Sequence, residues 1–145
     1  MIRRFGTPPL SGVRYGHRPG AYAILPRGSE VLVTHQADPN PEFQLPGGGI
    51  DPGEGAIAAL HREVMEETGW IIARPQRFTV FRNFTFMPDY DRYAEKICHI
   101  YIARPVRRVA DPTEPGHDAL WMPVDIALGA IASPGDRHAL EMWLG

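Results

Sequence analysis

The segment Arg62-Glu63-Val64-Met65-Glu66-Glu67-Thr68-Gly69 closes a helix and places three carboxylates where a helix carries its negative pole. From about Ala56, the apolar residues Ile57, Leu60 and Val64 recur on one side at helical spacing, and Gly69 suits the position that ends a helix. At roughly 100° per residue, Glu63, Glu66 and Glu67 fall inside an arc of roughly 100° beside the apolar stripe. One flank packs and its neighbour is acidic. Like charges at these spacings cost about 0.2–0.5 kcal/mol per pair, and each carboxylate at the C-terminal end adds roughly 0.3–1 kcal/mol. The arrangement is therefore unfavourable by on the order of 1–3 kcal/mol unless a cation sits there. Arg62 offsets part of this, but it is one charge against three. Taken alone, such a flank also reads as a solvated acidic surface.

The surroundings favour a site. Local rules tend to be broken where function requires it, and the helix follows a loop, Phe43 to Gly55, rich in glycine and proline. Within it Gly47, Gly48 and Gly49 let the backbone approach another group closely. Several carboxylates plus a backbone carbonyl form an all-oxygen donor set, which suits a hard divalent cation such as Mg²⁺ or Mn²⁺. A phosphate ester would complete its shell.

Around this centre the pattern is mostly extended. Gly20 to Leu25 and Glu30 to Gln36 read as two strands of a hairpin, with Pro26 to Ser29 as the turn, and Ala37 to Glu42 as a loop. A short strand begins at Phe43. Trp70 to Ala73 and Arg77 to Phe86 are strand-like and separated by Pro75, while Met87 to Glu95 is polar and turn-forming. Lys96 to Val106 reads as a buried strand, with Ile97, His99, Tyr101 and Ala103 on one face and Cys98, Ile100 and Ile102 on the other. A loop from Ala110 to Asp118 and a short strand from Ala119 follow. Ser133 as N-cap, Pro134 at N1 and Asp136 at N3 start a final helix whose Leu140, Trp143 and Leu144 share a face. Strands, a central helix, strands and a terminal helix predict an α/β (α+β) chain with helices packed on a mixed sheet.

At 145 residues the chain fits one domain, 1–145, with residues 1–19 as an N-terminal arm, flexible or packed at an edge. A net charge of −2 argues against bulk electrostatic binding of a nucleic acid polymer. Lys96 is the only lysine among 15 basic side chains. A single cysteine, Cys98, excludes an intrachain disulfide, and no apolar run reaches the roughly 18 residues needed to span a bilayer. The expectation is a cytoplasmic protein without a membrane partner; the sequence leaves a homodimer open.

Gly48, then Glu54 after five residues, then after seven more Arg62-Glu63-Val64-Met65-Glu66-Glu67-Thr68-Gly69-Trp70, resembles the Nudix box, G-x5-E-x7-R-E-U-x-E-E-x-G-U with U a bulky apolar residue. The charged and glycine positions all match over 23 residues; Trp70 departs from the usual aliphatic residue. The resemblance to this MutT-like family implies a mixed sheet sandwiched between helices and hydrolysis of a pyrophosphate linkage with Mg²⁺ or Mn²⁺. Glu63, Glu66, Glu67 and the Gly48 carbonyl would be metal ligands, and Arg62 would hold a box glutamate in place. Gly69 would end the helix. Glu54 lies about 12 Å before Arg62 along a continuous helix, so it joins the cluster only by sitting on the loop and folding back, as the family implies. The competing reading makes Asp51 to Glu54 a capping box with Asp51 as N-cap.

The general base is open between Glu66 and residues outside the box: Glu95, Glu114, His117 and Asp118. For substrate contacts, Arg14, Arg18 and Arg27 could meet phosphates, and Tyr90, Tyr93, Phe84 or Phe86 could stack on a base; Glu114 and Asp118 lie in a loop suited to the site. The substrate implied is a small nucleoside diphosphate-linked or related organic pyrophosphate. Two alternatives stand beside it: a nucleoside triphosphate pyrophosphohydrolase, and a Nudix-fold binding or regulatory domain without turnover.

Overall fold

A computed structural model describes residues 2–38 and 40–145, and for Asp89 the backbone alone; Pro39 of the expected loop lies outside the described residues. The strands are β1 (Arg3–Phe5), β2 (Gly16–Ile24), β3 (Pro26–Arg27), β4 (Glu30–Gln36), β5 (Glu42–Gln44), β6 (Gly47–Gly49), β7 (Trp70–Met87), β8 (Arg92–Arg108) and β9 (His117–Pro123). The helices are α1 (Ala56–Thr68), α2 (Val124–Ala130) and α3 (Pro134–Leu144).

Five strands form a mixed sheet in the order β1-β7-β8-β2-β6, with β1 parallel to β7 and β2 parallel to β8. The second sheet is built on β4, with β9 along one edge and β3 and β5 sharing the other. Alternation along the strands divides the core in two. Ala21, Ala23, Leu32, Tyr101 and Ala103 pack with Leu60 and Val64 of α1. Ile24, Val31, Val33, Cys98 and Ile100 pack with Ala127 of α2 and Ala139 and Leu140 of α3. The sheets thus lie between α1 on one side and α2 with α3 on the other, the sandwich implied by the resemblance. The two faces expected for β8 separate as its alternation predicts.

Several elements differ from expectation. The long hairpin does not form, because both edges of β2 are taken, by β8 and by β6. Only Pro26–Arg27 turns back on β4, around Gly28 at φ 58°. Pro75 does not split β7: the chain absorbs Arg74 (φ 52°) and Pro75 as a bulge and continues to Met87, consistent with the tolerance of proline at bulges. The turn before β8 shrinks to Pro88–Tyr90 and Asp91. α2 was not expected; it is short and follows β9 directly. On α1, Ile57 is 48% exposed while Ala59 is buried; on α3, Leu144 is 47% exposed. Arg3–Phe5 of the N-terminal segment pair with Phe81–Asn83 at the sheet edge.

Candidate active site

α1 begins without a side-chain cap at Gly55 and ends at Gly69, whose φ of 74° and N–H bond to Met65 O (2.9 Å) form a left-handed stop. Gly69 has a second reason to lack a side chain: a Cβ there would overlap the backbone of Ala110. No basic residue lies in the last turn of α1. Its end is satisfied by backbone, since the N–H groups of Thr113 and Glu114 both donate to Glu66 O, at 2.7 and 2.9 Å. The loop after β8 is thereby fastened beside the acidic flank.

Arg62 organises that flank. Its Nε and Nη2 donate to the two oxygens of Glu54, both at 2.8 Å, a fork on a carboxylate. Nη2 also donates to the Gly49 carbonyl at 3.0 Å, and Nη1 donates to Glu63 at 2.9 Å and to Glu66 at 3.3 Å. The structure separates the two readings of Glu54. It sits on the loop and folds back onto Arg62, while Gly55, not Asp51, is the N-cap. One trace of a capping box survives, the Asp51 N–H donating to Glu54 at 3.0 Å. The Arg62 bonds, helped by that N–H, hold the Glu54 carboxyl down at about 2, and Glu54 in turn raises Arg62 above its ordinary value.

Glu67 and Glu63 have the opposite character. Glu67 is 6% exposed, accepts the Gly47 N–H at 3.0 Å, and lies 3.3 Å from His117 Nε2. Burial pushes its carboxyl up to about 8, against the pull of the Gly47 N–H and with added repulsion from Glu63, Glu114 and Glu66. Burial likewise raises Glu63, although Arg62 opposes it. The Glu63 carboxylate occupies the space a Cβ on Gly48 would fill, so it lies directly over the β6 backbone. Glu63 and Glu66 therefore share one fully committed cation, Arg62, Glu67 meets His117 instead, and Glu63 and Glu67 are held in places that disfavour their charge. This donor set, oxygen-only, in excess of positive charge and set against bare backbone, fits a divalent cation. Among the described residues no three acidic or imidazole groups are already closed around one point.

A cavity of about 630 Å³ opens beside this cluster, lined by Glu54, Glu63 and Gly49 and by Arg18, Tyr90 and Lys96. The Arg18 guanidinium stacks 4.7 Å from the centre of the Tyr90 ring. Two expected substrate contacts are thus on the wall. Glu114 borders a separate hollow with Gln36, Asp38 and His117, within electrostatic reach of Glu63 and Glu67. Arg27 and Asp118 are not brought to the cavity. Arg27 lies 3.7 Å over the Trp121 ring, which meets Trp70 edge to face. Asp118 is exposed on β9, and strand alternation turns it away from His117, the neighbour that meets Glu67. Glu95 is occupied by His17 and Arg82, and Phe84, Phe86 and Tyr93 surround a hollow with Tyr15 near the N-terminal segment. Lys96 and the partly buried Tyr22 were not expected here; the only signal for Lys96 was its being the chain's single lysine.

A family model for the NUDIX domain matches residues 16–142. The chain is similar to a putative 8-oxo-dGTP diphosphatase of Bacillus subtilis, 34% identical over 70 residues. It is also similar to an RNA pyrophosphohydrolase of Helicobacter pylori, 41% identical over 58 residues. The matched segments are 48% and 37% of this chain and span 47% and 37% of those proteins. Among solved structures, a NUDIX hydrolase from Nitrosomonas europaea superposes with a TM-score of 0.73 at 18% identity over 87% of each chain. A MutT NUDIX hydrolase from Burkholderia pseudomallei does so at 0.66 and 23% identity, over 86% of this chain and 96% of its own. At such identities the structural likeness is one of fold.

Proposed function

The chain belongs to the NUDIX domain family, and on that premise we propose that it is a divalent-metal-dependent hydrolase of pyrophosphate linkages in small nucleotide-derived substrates. The observation that carries this reading is the Arg62 hub, where one arginine fixes Glu54, Glu63 and Glu66 beside a buried Glu67 and leaves net negative charge facing a cavity.

Glu63, Glu66, Glu67 and the Gly48 carbonyl would hold the metal. A bound Mg²⁺ or Mn²⁺ supplies neutralisation of phosphate oxygens and orientation of water. The remaining work falls to side chains. Glu54 restrains Arg62, and Arg62 restrains Glu63 and Glu66, so the acidic groups are positioned before substrate arrives. The Gly47 N–H and His117 orient Glu67. Glu66, the most exposed of the three, at 35% of its side chain, would take a proton from water as general base. Arg18 and Lys96 line the same cavity as Glu54 and Glu63 and would meet phosphate oxygens there.

Within this class the notional substrate is a nucleoside diphosphate-linked or similar compound. A nucleoside triphosphate is the second reading, supported by the relative named for 8-oxo-dGTP. A binding domain without turnover has no use for three carboxylates that repel one another. The test is phosphate release from nucleoside triphosphates, sugar nucleotides and dinucleoside polyphosphates with Mg²⁺ or Mn²⁺, with and without an added phosphatase. Metal-dependent cleavage of one class supports the reading, and silence across all of them overturns it.

A further inference from the structure

A cavity of about 240 Å³ lies between the sheet edge and the last helix, apart from the acidic cluster. The strand register sets its place. Arg3 of β1 pairs with Phe81 of β7, Phe81 with Cys98 of β8, and Cys98 with Gly20 of β2, which lines the first cavity. Strands lie about 4.8 Å apart, so the ends of that row are separated by roughly 14 Å. Paired residues project to one face of a sheet and alternate residues share it. Arg3 and Phe5 therefore turn toward α3 with the core residue Phe81, and Arg4 turns away. From α3, Gly135, His138 and Met142 recur at helical spacing and line the same cavity.

Its lining grades from charged to apolar. Phe81 is buried, His138 is half-buried and Arg3 is exposed, so the charge lies toward solvent and the Phe81 ring inward. Phe5 meets Phe81 edge to face, with ring centres 5.6 Å apart, and its own ring centre is 5.1 Å from that of His138. The Arg3 guanidinium lies 5.0 Å from the centre of the Phe5 ring, and its Nη1 is 3.3 Å from His138 Nε2. Guanidinium nitrogens only donate, so Nε2 accepts and the imidazole proton is on Nδ1. That contact leaves most of the Arg3 donors unused. Among the described residues that line the cavity none is acidic, and the positive charge of Arg3 has no counter-charge in the wall.

We propose that this cavity binds a small aromatic monocarboxylate, its carboxylate on the Arg3 fork and its ring against Phe5, Phe81 and Met142. A carboxylate matches a guanidinium in shape and neutralises its single charge, whereas a phosphate dianion would bring an excess. The Met142 thioether and the two phenyl rings suit an aromatic partner. Size agrees, since an apolar cavity of about 150 Å³ holds benzene and this one leaves room for the carboxylate. His138 Nδ1–H is a further donor in the wall. The ligand would bridge β1 and α3 and so fasten the N-terminal segment at the sheet edge. Such a site is independent of what the first cavity hydrolyses.

The test is a titration of the isotope-labelled full chain with benzoate, benzamide and inorganic phosphate, followed by amide chemical shifts and repeated on Arg3→Gln and Met142→Glu. Arg3 and Met142 are exposed, so both variants should melt near the parent. Benzoate is expected to saturate shifts at Phe5, Phe81 and His138 in the millimolar range, at least about tenfold more tightly than benzamide or phosphate. Arg3→Gln should bring benzoate down to the level of benzamide. Met142→Glu should weaken benzoate more than benzamide, by placing a like charge in the wall. Should Arg3→Gln melt far below the parent, Met142→Glu decides alone. Shifts that do not saturate, that saturate only around Gly20 and Gly49, or that benzamide or phosphate reproduces at the same concentrations overturn the proposal. An unchanged benzoate affinity in the folded variants does so too.

Discussion

Arg62 and Glu54 are eight residues apart and face each other through two parallel hydrogen bonds of 2.8 Å, the guanidinium fork closing on both carboxylate oxygens. The loop ahead of α1 is thus fastened to the middle of the helix, and the remaining nitrogen of the fork is left for Glu63 and Glu66. Arg62→Lys keeps the charge and loses the fork. It should cost about 1–3 kcal/mol of stability and weaken Mg²⁺ binding, read by denaturant unfolding and a metal titration. Unchanged metal affinity would remove Arg62 from its positioning role.

The raised Glu67 carboxyl has a consequence for pH. Its folded value of about 8 lies above the ordinary 4.5, so the folded metal-free chain holds a proton that the unfolded chain has released in between. Its contribution to stability is full below about pH 4.5 and is lost as pH rises through about 8. Glu67→Gln should be more stable than the parent at pH 8 in EDTA by a few kcal/mol at most, with the difference vanishing near pH 4. Metal-dependent turnover should disappear. A variant less stable than the parent at pH 8 contradicts the burial argument.

Glycines around the cluster separate structural from functional loss. The atoms nearest to a Cβ on Gly48 are those of the Glu63 carboxylate, the far end of a side chain rather than backbone. Gly48→Ala should therefore melt close to the parent while lowering metal affinity and turnover at least about tenfold, roughly 1.4 kcal/mol. Gly69→Ala combines φ of 74° with overlap on the Ala110 backbone and should lose roughly 2–4 kcal/mol. Equal melting points for the two variants would contradict this contrast.

On α1, Leu60 is fully buried and Ile57 is 48% exposed. Leu60→Ala should cost about 2–5 kcal/mol, and Ile57→Lys should stay within about 0.5 kcal/mol. Chemical denaturation of the two variants checks the orientation of the helix directly, since a rotation by one position would reverse the order.

The same pair shows how far local pattern carries. Ile57, Leu60 and Val64 have helical spacing, and α1 forms where that spacing lies, but the small Ala59 is buried and Ile57 is not. Hydrophobic character ranks residues for burial, whereas the flank of α1 that turns inward is set by how the helix docks on the sheets. The hairpin expected at Gly20 to Gln36 fails for a similar reason. Turn chemistry at Gly28 is local and was legible, but β2 takes partners from Gly47–Gly49 and from Gly16-paired β8, far along the chain. Arg27 carried the charge wanted for phosphate and instead lies on Trp121, because the identity of a cation says nothing about which face of a sheet it meets.

By itself the sequence determined the spacing of Glu63, Glu66 and Glu67 on one flank, the stop at Gly69, the alternation that divides β8 between two cores, and the family. These depend on the few dihedral periods of a regular backbone, which are properties of neighbours in the chain. Tertiary structure decided what those periods cannot reach: that Glu54 folds back to Arg62, that His117 and not Asp118 meets Glu67, and that Arg18 and Lys96 line one cavity with Glu54 and Glu63. Each joins residues on different elements. Such joins are set by strand order and register, which follow from how the whole core packs.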